Sequence, residues 1–165
     1  MGEKELLFDA IYKEHHAKVF RLCKGYFAAD EALAKDATQE VFIKVWEHLK
    51  NFRGDASVST WIYRISVNTC LLFLRKKKNR KENIMTNITD AADKEYDNDQ
   101  ERKLKLLYKS LATLDESSRV IILMVLEGVS YEEIAKVIGI TEDTLRVRIH
   151  RIKNKLSKKI SHERV

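Results

Sequence analysis

The 165-residue chain contains no proline and only five glycines. Many-stranded sandwiches and barrels need those residues at their corners, so the scarcity argues against them and favours long helices with few turns. Two cysteines, Cys23 and Cys70, are too few for a disulfide framework at this length, and a reducing, cytoplasmic setting is the expectation. The longest apolar run, residues 120–126, is far too short to cross a membrane. No basic stretch leads into an apolar one at the N-terminus, so no secretory leader and no membrane insertion are expected. Glycine-rich phosphate loops and nucleophile–base signatures are missing too. His15, His16 and Cys23 are the sole potential metal ligands near one another in sequence. His16 and Cys23 share a helical face, but a metal would need further ligands from elsewhere. Exposed histidines and a buried thiol are expected, with no metal, no cofactor and no catalysis by the chain itself.

What the chain does have is charge. It carries 31 basic and 25 acidic residues, net +6, and the layout is uneven. Residues 1–82 carry net +5, residues 83–101 net −5 and residues 102–165 net +6. The middle stretch is acidic, rich in Asn and Asp and weakly periodic, the composition of a flexible linker. Two blocks are strongly basic, residues 75–81 with six Lys or Arg in seven and residues 146–159 with seven, and no acidic residue stands between Thr144 and His162. A solvated helix face usually mixes both signs, so a single sign over such a length points to a polyanion.

Before the linker, Leu7, Ile11, Val19, Leu22, Tyr26 and Phe27 recur at helical spacing. Asp30 is a fair N-cap for a second helix, whose Leu33, Ala37, Val41, Val45 and Leu49 repeat every four residues. Gly54, Asp55 and Ser57 break the pattern, and a third helix runs from about Val58 into the first basic block. In the second helix, Asp36 and Glu40 share a face with Gln39 beside them. Like charges at this spacing repel, so a basic protein partner would explain them better than stability does.

After the linker, Leu104, Leu107, Leu111 and Leu114 form a stripe. Asp115 starts a helix that is apolar on almost every side and therefore central, and Gly128 suits a left-handed residue at its end. Ser130 and Glu133 make a capping box for a short helix. Gly139-Ile140-Thr141 turns into a final basic helix capped by Thr141. A short helix, a tight glycine turn and a basic second helix describe a helix-turn-helix. Ala135 lies where the two helices approach. Arg146, Arg148 and Arg151 fall in the first turns of the second helix, where guanidinium forks suit guanine edges and phosphates. The amides near Tyr131 could take a phosphate.

Three stretches in this order resemble the extracytoplasmic-function (ECF) sigma factors, the small two-domain initiation factors of bacterial RNA polymerase. Asp36-Ala-Thr-Gln-Glu-Val-Phe42 with Trp46 is similar to the helix that docks on the clamp of the polymerase β′ subunit. The stretch from Phe52 to Asn68 is similar to the loop and helix that open the minus-ten element and hold a flipped base. The stretch from Leu126 to Arg151 is similar to the domain that reads the minus-thirty-five element. The resemblance implies an all-α fold of two small helical domains. A three-helix sigma region 2 would span residues 1–82, a flexible acidic linker 83–101, and a four-helix region 4 with the helix-turn-helix 102–165.

It also implies site residues. Polymerase binding would fall to Asp36, Gln39, Glu40, Phe42 and Trp46. Minus-ten recognition would fall to Arg53, Trp61, Arg64 and Asn68, with Arg75 and Lys76 on the DNA backbone. Minus-thirty-five recognition would fall to Tyr131, Arg146, Arg148, His150, Arg151 and Lys153. The implied partners are core RNA polymerase through its β′ clamp and β subunit, promoter DNA, and an anti-sigma factor. The chain departs from the family pattern at Asp115, where proline is usual, and at Val58, Ser66, Leu72 and Val147. The alternative is a stand-alone helix-turn-helix regulator, which would leave the stretches at 36–46 and 52–68 unexplained.

Overall fold

The computed structural model describes residues 2–83 and 99–163. Most of the expected linker, residues 84–98, and the side chain of Lys81 lie outside the described residues. Among those residues the chain is helical with no strand. The helices are α1 (Glu3–Tyr26), α2 (Glu31–His48), α3 (Val58–Asn83), α4 (Asp99–Leu111), α5 (Glu116–Leu126), α6 (Tyr131–Ile138) and α7 (Glu142–Glu163), with a 3-10 turn, Leu49–Asn51, after α2.

The helix starts follow the polar residues that the sequence offers as caps. Asp30 accepts from the Leu33 amide at 3.1 Å, Asp115 from the Ser118 amide at 2.9 Å and Thr141 from the Thr144 amide at 3.2 Å. Each satisfies one of the orphan donors of a first helical turn. Between α1 and α2 the chain turns through Ala28 and Ala29, both at positive φ. Gly139 has φ +80, and its amide and that of Ile140 both return to the Ala135 carbonyl at 2.8 and 3.1 Å. That left-handed turn sets α7 across α6.

The first three helices pack around Val19, Leu22, Tyr26, Ala34, Ala37, Val41, Val45 and Ile62. The last four pack around Leu111, Ile121, Met124, Ile134, Leu145 and Ile149. These two cores are continuous. They join where Gly25 of α1 meets Leu123 of α5, so closely that a Cβ on Gly25 would run into a Leu123 methyl. Whether the halves pack together is not legible in the sequence.

Three local expectations need correction. Leu7 does not face the core but is 51% exposed. His15 is not exposed but 3% accessible, and burial pushes its imidazole below the ordinary value. The capping box at Ser130 forms only in part. The Ser130 hydroxyl accepts from the Glu133 amide at 3.2 Å, but the Glu133 carboxylate crosses to α3 instead.

Candidate nucleic-acid interface

Three surfaces hold the residues singled out by sequence. The first is a groove of about 740 Å³ between α1 and α2. Gln39, Phe42 and Trp46 line it from α2, and Phe8, Tyr12, His16 and Phe20 from α1. Edge-to-face ring pairs hold its floor. Phe8 meets Trp46 at 5.2 Å and Tyr12 meets Phe42 at 4.8 Å between centroids. Such pairs fix ring positions as well as burying area. Lys4 stands 3.9 Å over the Trp46 ring. Asp36 and Glu40 do not line the groove. Asp36 is exposed, and Glu40 reaches Lys44 at 3.8 Å. The α1 side of this groove was missed in the sequence. Its signal was a second stripe, Phe8, Tyr12, His16 and Phe20, at four-residue spacing beside the core stripe.

The second surface runs along α3. Arg53, Arg64, Asn68, Arg75 and Lys76 are all exposed. Trp61 is half-buried, its ring 4.7 Å from that of Phe52 and tilted by 30°, so it is braced by packing and still reachable from one side. Asn68 opens into a cleft bounded by Leu71, Leu74, Leu114 and Val137. That cleft lies between the two halves, and polar contacts join the halves there and elsewhere along the seam. Arg21 holds the Glu127 carboxylate with two nitrogens, at 2.8 and 2.9 Å. Lys78 reaches Glu116 at 2.9 Å. The Arg64 guanidinium donates to the Lys136 carbonyl at 2.9 Å.

In the helix-turn-helix, Arg146, His150, Arg151 and Lys153 form an exposed basic strip along α7. Arg146 lies over the half-buried Tyr131 ring at 5.2 Å. Arg148 is different. It is half-buried and donates to the Ser117 hydroxyl at 2.8 Å, tying α7 to the start of α5. Arg119 was also missed. It donates to four backbone carbonyls, those of Leu111, Ala112, Leu114 and Tyr26. No periodicity marks such a residue, because its role depends on which helix ends converge.

Cys23 and Cys70 face each other, sulfur to sulfur at 3.7 Å, in the buried seam of α1 and α3. No group of three or more His, Cys, Asp or Glu able to hold a metal is present among the described residues. None of the described helices is long and apolar enough to cross a membrane.

Comparison with known proteins finds relatives over both halves of the chain. The family model for sigma-70 region 2 matches residues 11–80, and that for sigma-70 region 4 matches residues 104–156. The ECF RNA polymerase sigma-E factor of Escherichia coli strain K12 is 30% identical over 93% of this chain and 86% of its own length. That of Haemophilus influenzae is 28% identical over 96% of this chain and 89% of its own. In solved structures, the fold matches CnrH bound to the cytosolic domain of CnrY, with a TM-score of 0.74 and 21% identity over 96% of this chain and 90% of that one. It also matches the sigma factor RpoE bound to the anti-sigma factor NepR from Bartonella quintana. There the TM-score is 0.68, with 21% identity over 90% of this chain and 95% of that one.

Proposed function

The chain belongs to the ECF sigma factors, which direct promoter-specific initiation by bacterial RNA polymerase, and we propose that its two halves divide the work. Residues 1–82 dock on the polymerase and trap an unpaired base of the minus-ten element. Residues 102–165 grip the minus-thirty-five element, and residues 83–101 join them. The chemistry is binding and differential stabilisation. Unstacking a base costs a few kcal/mol, which contacts to the flipped base and the backbone must offset.

The observation that carries this reading is the pairing of an open aromatic groove with a basic helix on one three-helix unit. The α1/α2 groove offers the half-buried Trp46 as an apolar anchor with Gln39 beside it, over a floor that includes the buried Phe42, and Asp36 and Glu40 present carboxylates on the adjoining face of α2. That combination fits a basic helical partner, the β′ clamp. On α3, Asn68 can bond two groups of a base edge, Trp61 supplies a stacking face, and Arg64, Arg75 and Lys76, with Arg53 in the segment before α3, add positive charge. On α7, Arg146, His150, Arg151 and Lys153 face outward for the major groove, with Tyr131 beneath Arg146 and Arg148 bracing the helix from behind. An anti-sigma factor would act by covering these same surfaces.

The closed packing of the two halves cannot persist on a promoter, since the cleft that holds Asn68 must admit a strand. Opening is therefore a step of holoenzyme formation. Titration into core polymerase lacking any sigma factor tests the whole. The expected result is a stable complex, weakened at least about tenfold by Asp36→Arg with Glu40→Arg through like-charge repulsion. Arg151→Glu should leave that complex intact and weaken upstream promoter DNA binding. No complex at moderate salt, with duplex DNA still bound, would favour the stand-alone regulator.

A further inference from the structure

The Glu133 carboxylate does something that its place in the sequence does not call for. As the third residue of α6 it should turn back onto the Ser130 amide. Instead one oxygen, Oε1, accepts from the Ser57 and Thr60 hydroxyls, at 3.0 Å each. Those hydroxyls stand at the start of α3, where Ser57 Oγ also accepts from the Thr60 amide at 3.1 Å. Thr60 is almost fully buried, at 2% exposure. A helix start carries a partial positive charge and orphan amides, so an anion held by hydroxyls there is well placed. One turn further along α3, Arg64 is likewise engaged by α6, through the Lys136 carbonyl at 2.9 Å.

We propose that Ser57 and Thr60 form a phosphate-binding seat for promoter DNA, and that Glu133 fills this seat in the closed chain as a built-in competitor. The proposal rests on the reading of α3 as the minus-ten surface and extends it to two residues of the 52–68 stretch that are not among its expected contact residues. Two observations point to an anionic ligand. A carboxylate is already seated there, brought from the other half of the chain at the expense of its local cap. Arg53 and Arg64, on either side of the seat in sequence, are exposed cations, and their charge favours an anion that continues beyond the seat, such as a nucleic-acid strand. The strand and Glu133 exclude each other, so part of the binding energy for DNA is spent on releasing α6. Apparent affinity falls by the fraction of chains that are open.

Glu132 provides the control. It has the same charge and sits one residue away on α6, but it is exposed and pairs only with Lys136, at 2.8 Å. The test is fluorescence anisotropy of a labelled, mixed-sequence single-stranded DNA oligonucleotide titrated with the full chain, with small-angle scattering on the same samples. Glu133→Ala should bind the strand about fivefold more tightly than the parent, from the loss of two charge-assisted hydrogen bonds in the closed form. It should also show a larger radius of gyration. Glu132→Ala should change neither by more than the effect of one removed charge. In a Ser57→Ala, Thr60→Val background, confirmed folded by circular dichroism, the gain from Glu133→Ala should vanish. Equal gains from the two glutamate variants, or a gain that survives loss of the hydroxyls, would overturn the competition while leaving α3 as a DNA surface. Failure of every variant to bind the strand would sink the reading of α3 itself, and this proposal with it.

Discussion

Replacing Arg119 with methionine isolates one of the larger polar contributions to this fold. The guanidinium donates to the carbonyls of Leu111 at 3.1 Å, Ala112 at 3.0 Å, Leu114 at 3.0 Å and Tyr26 at 2.8 Å. Three of these carbonyls belong to the end of α4 and the turn after it, and the fourth to the end of α1. Such carbonyls have no partner within their own helix. A charge-assisted hydrogen bond nets roughly 1.5 kcal/mol or more. Four would give about 6 kcal/mol if additive, but Arg119 is half-exposed and water can replace it on the open side, so about 3 kcal/mol is the better figure. The cation also sits 5.6 Å from the centre of the Tyr26 ring, a contact that adds at most about 0.5–1 kcal/mol. Methionine keeps most of the stem's packing and removes all four donors. Urea unfolding followed by far-ultraviolet circular dichroism should show the loss at nearly unchanged m. The thermal midpoint should fall by about 6–12 °C for a chain of this size. Arg119→Lys should recover only part, because one ammonium lacks the planar fork that reaches several carbonyls together. A methionine variant within about 0.5 kcal/mol of the parent, or a lysine variant equal to it, would refute the assignment.

Three further outcomes follow from the same geometry. Burial holds His15 below its ordinary imidazole value, against the opposing pull of Glu14. The unfolded chain therefore takes up its proton first, and stability should fall as pH drops below about 6.5, a slope that His15→Leu removes in urea titrations across that window. Asp115 caps α5 through the Ser118 hydroxyl at 2.7 Å and amide at 2.9 Å, and these bonds hold its carboxyl below the usual range. Its contribution is present above about pH 4 and lost as pH falls through the depressed value, and Asp115→Ala should cost about 1 kcal/mol at neutral pH while Asp115→Asn costs less. Cys23 and Cys70 are 0% and 1% exposed, so a bulky thiol reagent should label neither in the native chain and both in denaturant; rapid native labelling would contradict the α1–α3 packing.

Much of this protein is written locally. The helix starts at Asp30, Asp115, Ser130 and Thr141 follow from short side chains that can bond an amide two or three residues on. The turn at Gly139 follows from the need for a left-handed residue. The basic run on α7 and the apolar run in α5 declare which helix keeps a charged face at the surface and which fills a core, because charge and hydrophobicity act through composition alone. The resemblance to sigma factors rested on such local stretches, and the family matches agree with it.

What the sequence could not supply are contacts between residues far apart along the chain. Nothing in Phe8 or Tyr12 reveals that they wall a groove with Phe42 and Trp46, because α1 carries two apolar stripes and only its packing against α2 decides which is core. Nothing marks Gly25 as the point where α1 and α5 touch, or Arg119 as the residue that ties four carbonyls together. Glu133 illustrates the division. Its spacing from Ser130 gave a correct helix start and a wrong partner for its carboxylate. A cap needs only neighbours, whereas the choice between the Ser130 amide and the hydroxyls of α3 depends on where the other half of the chain comes to rest. Local propensity set the elements and their charge. Their burial against one another decided which side chains meet, because that is settled by the whole core at once.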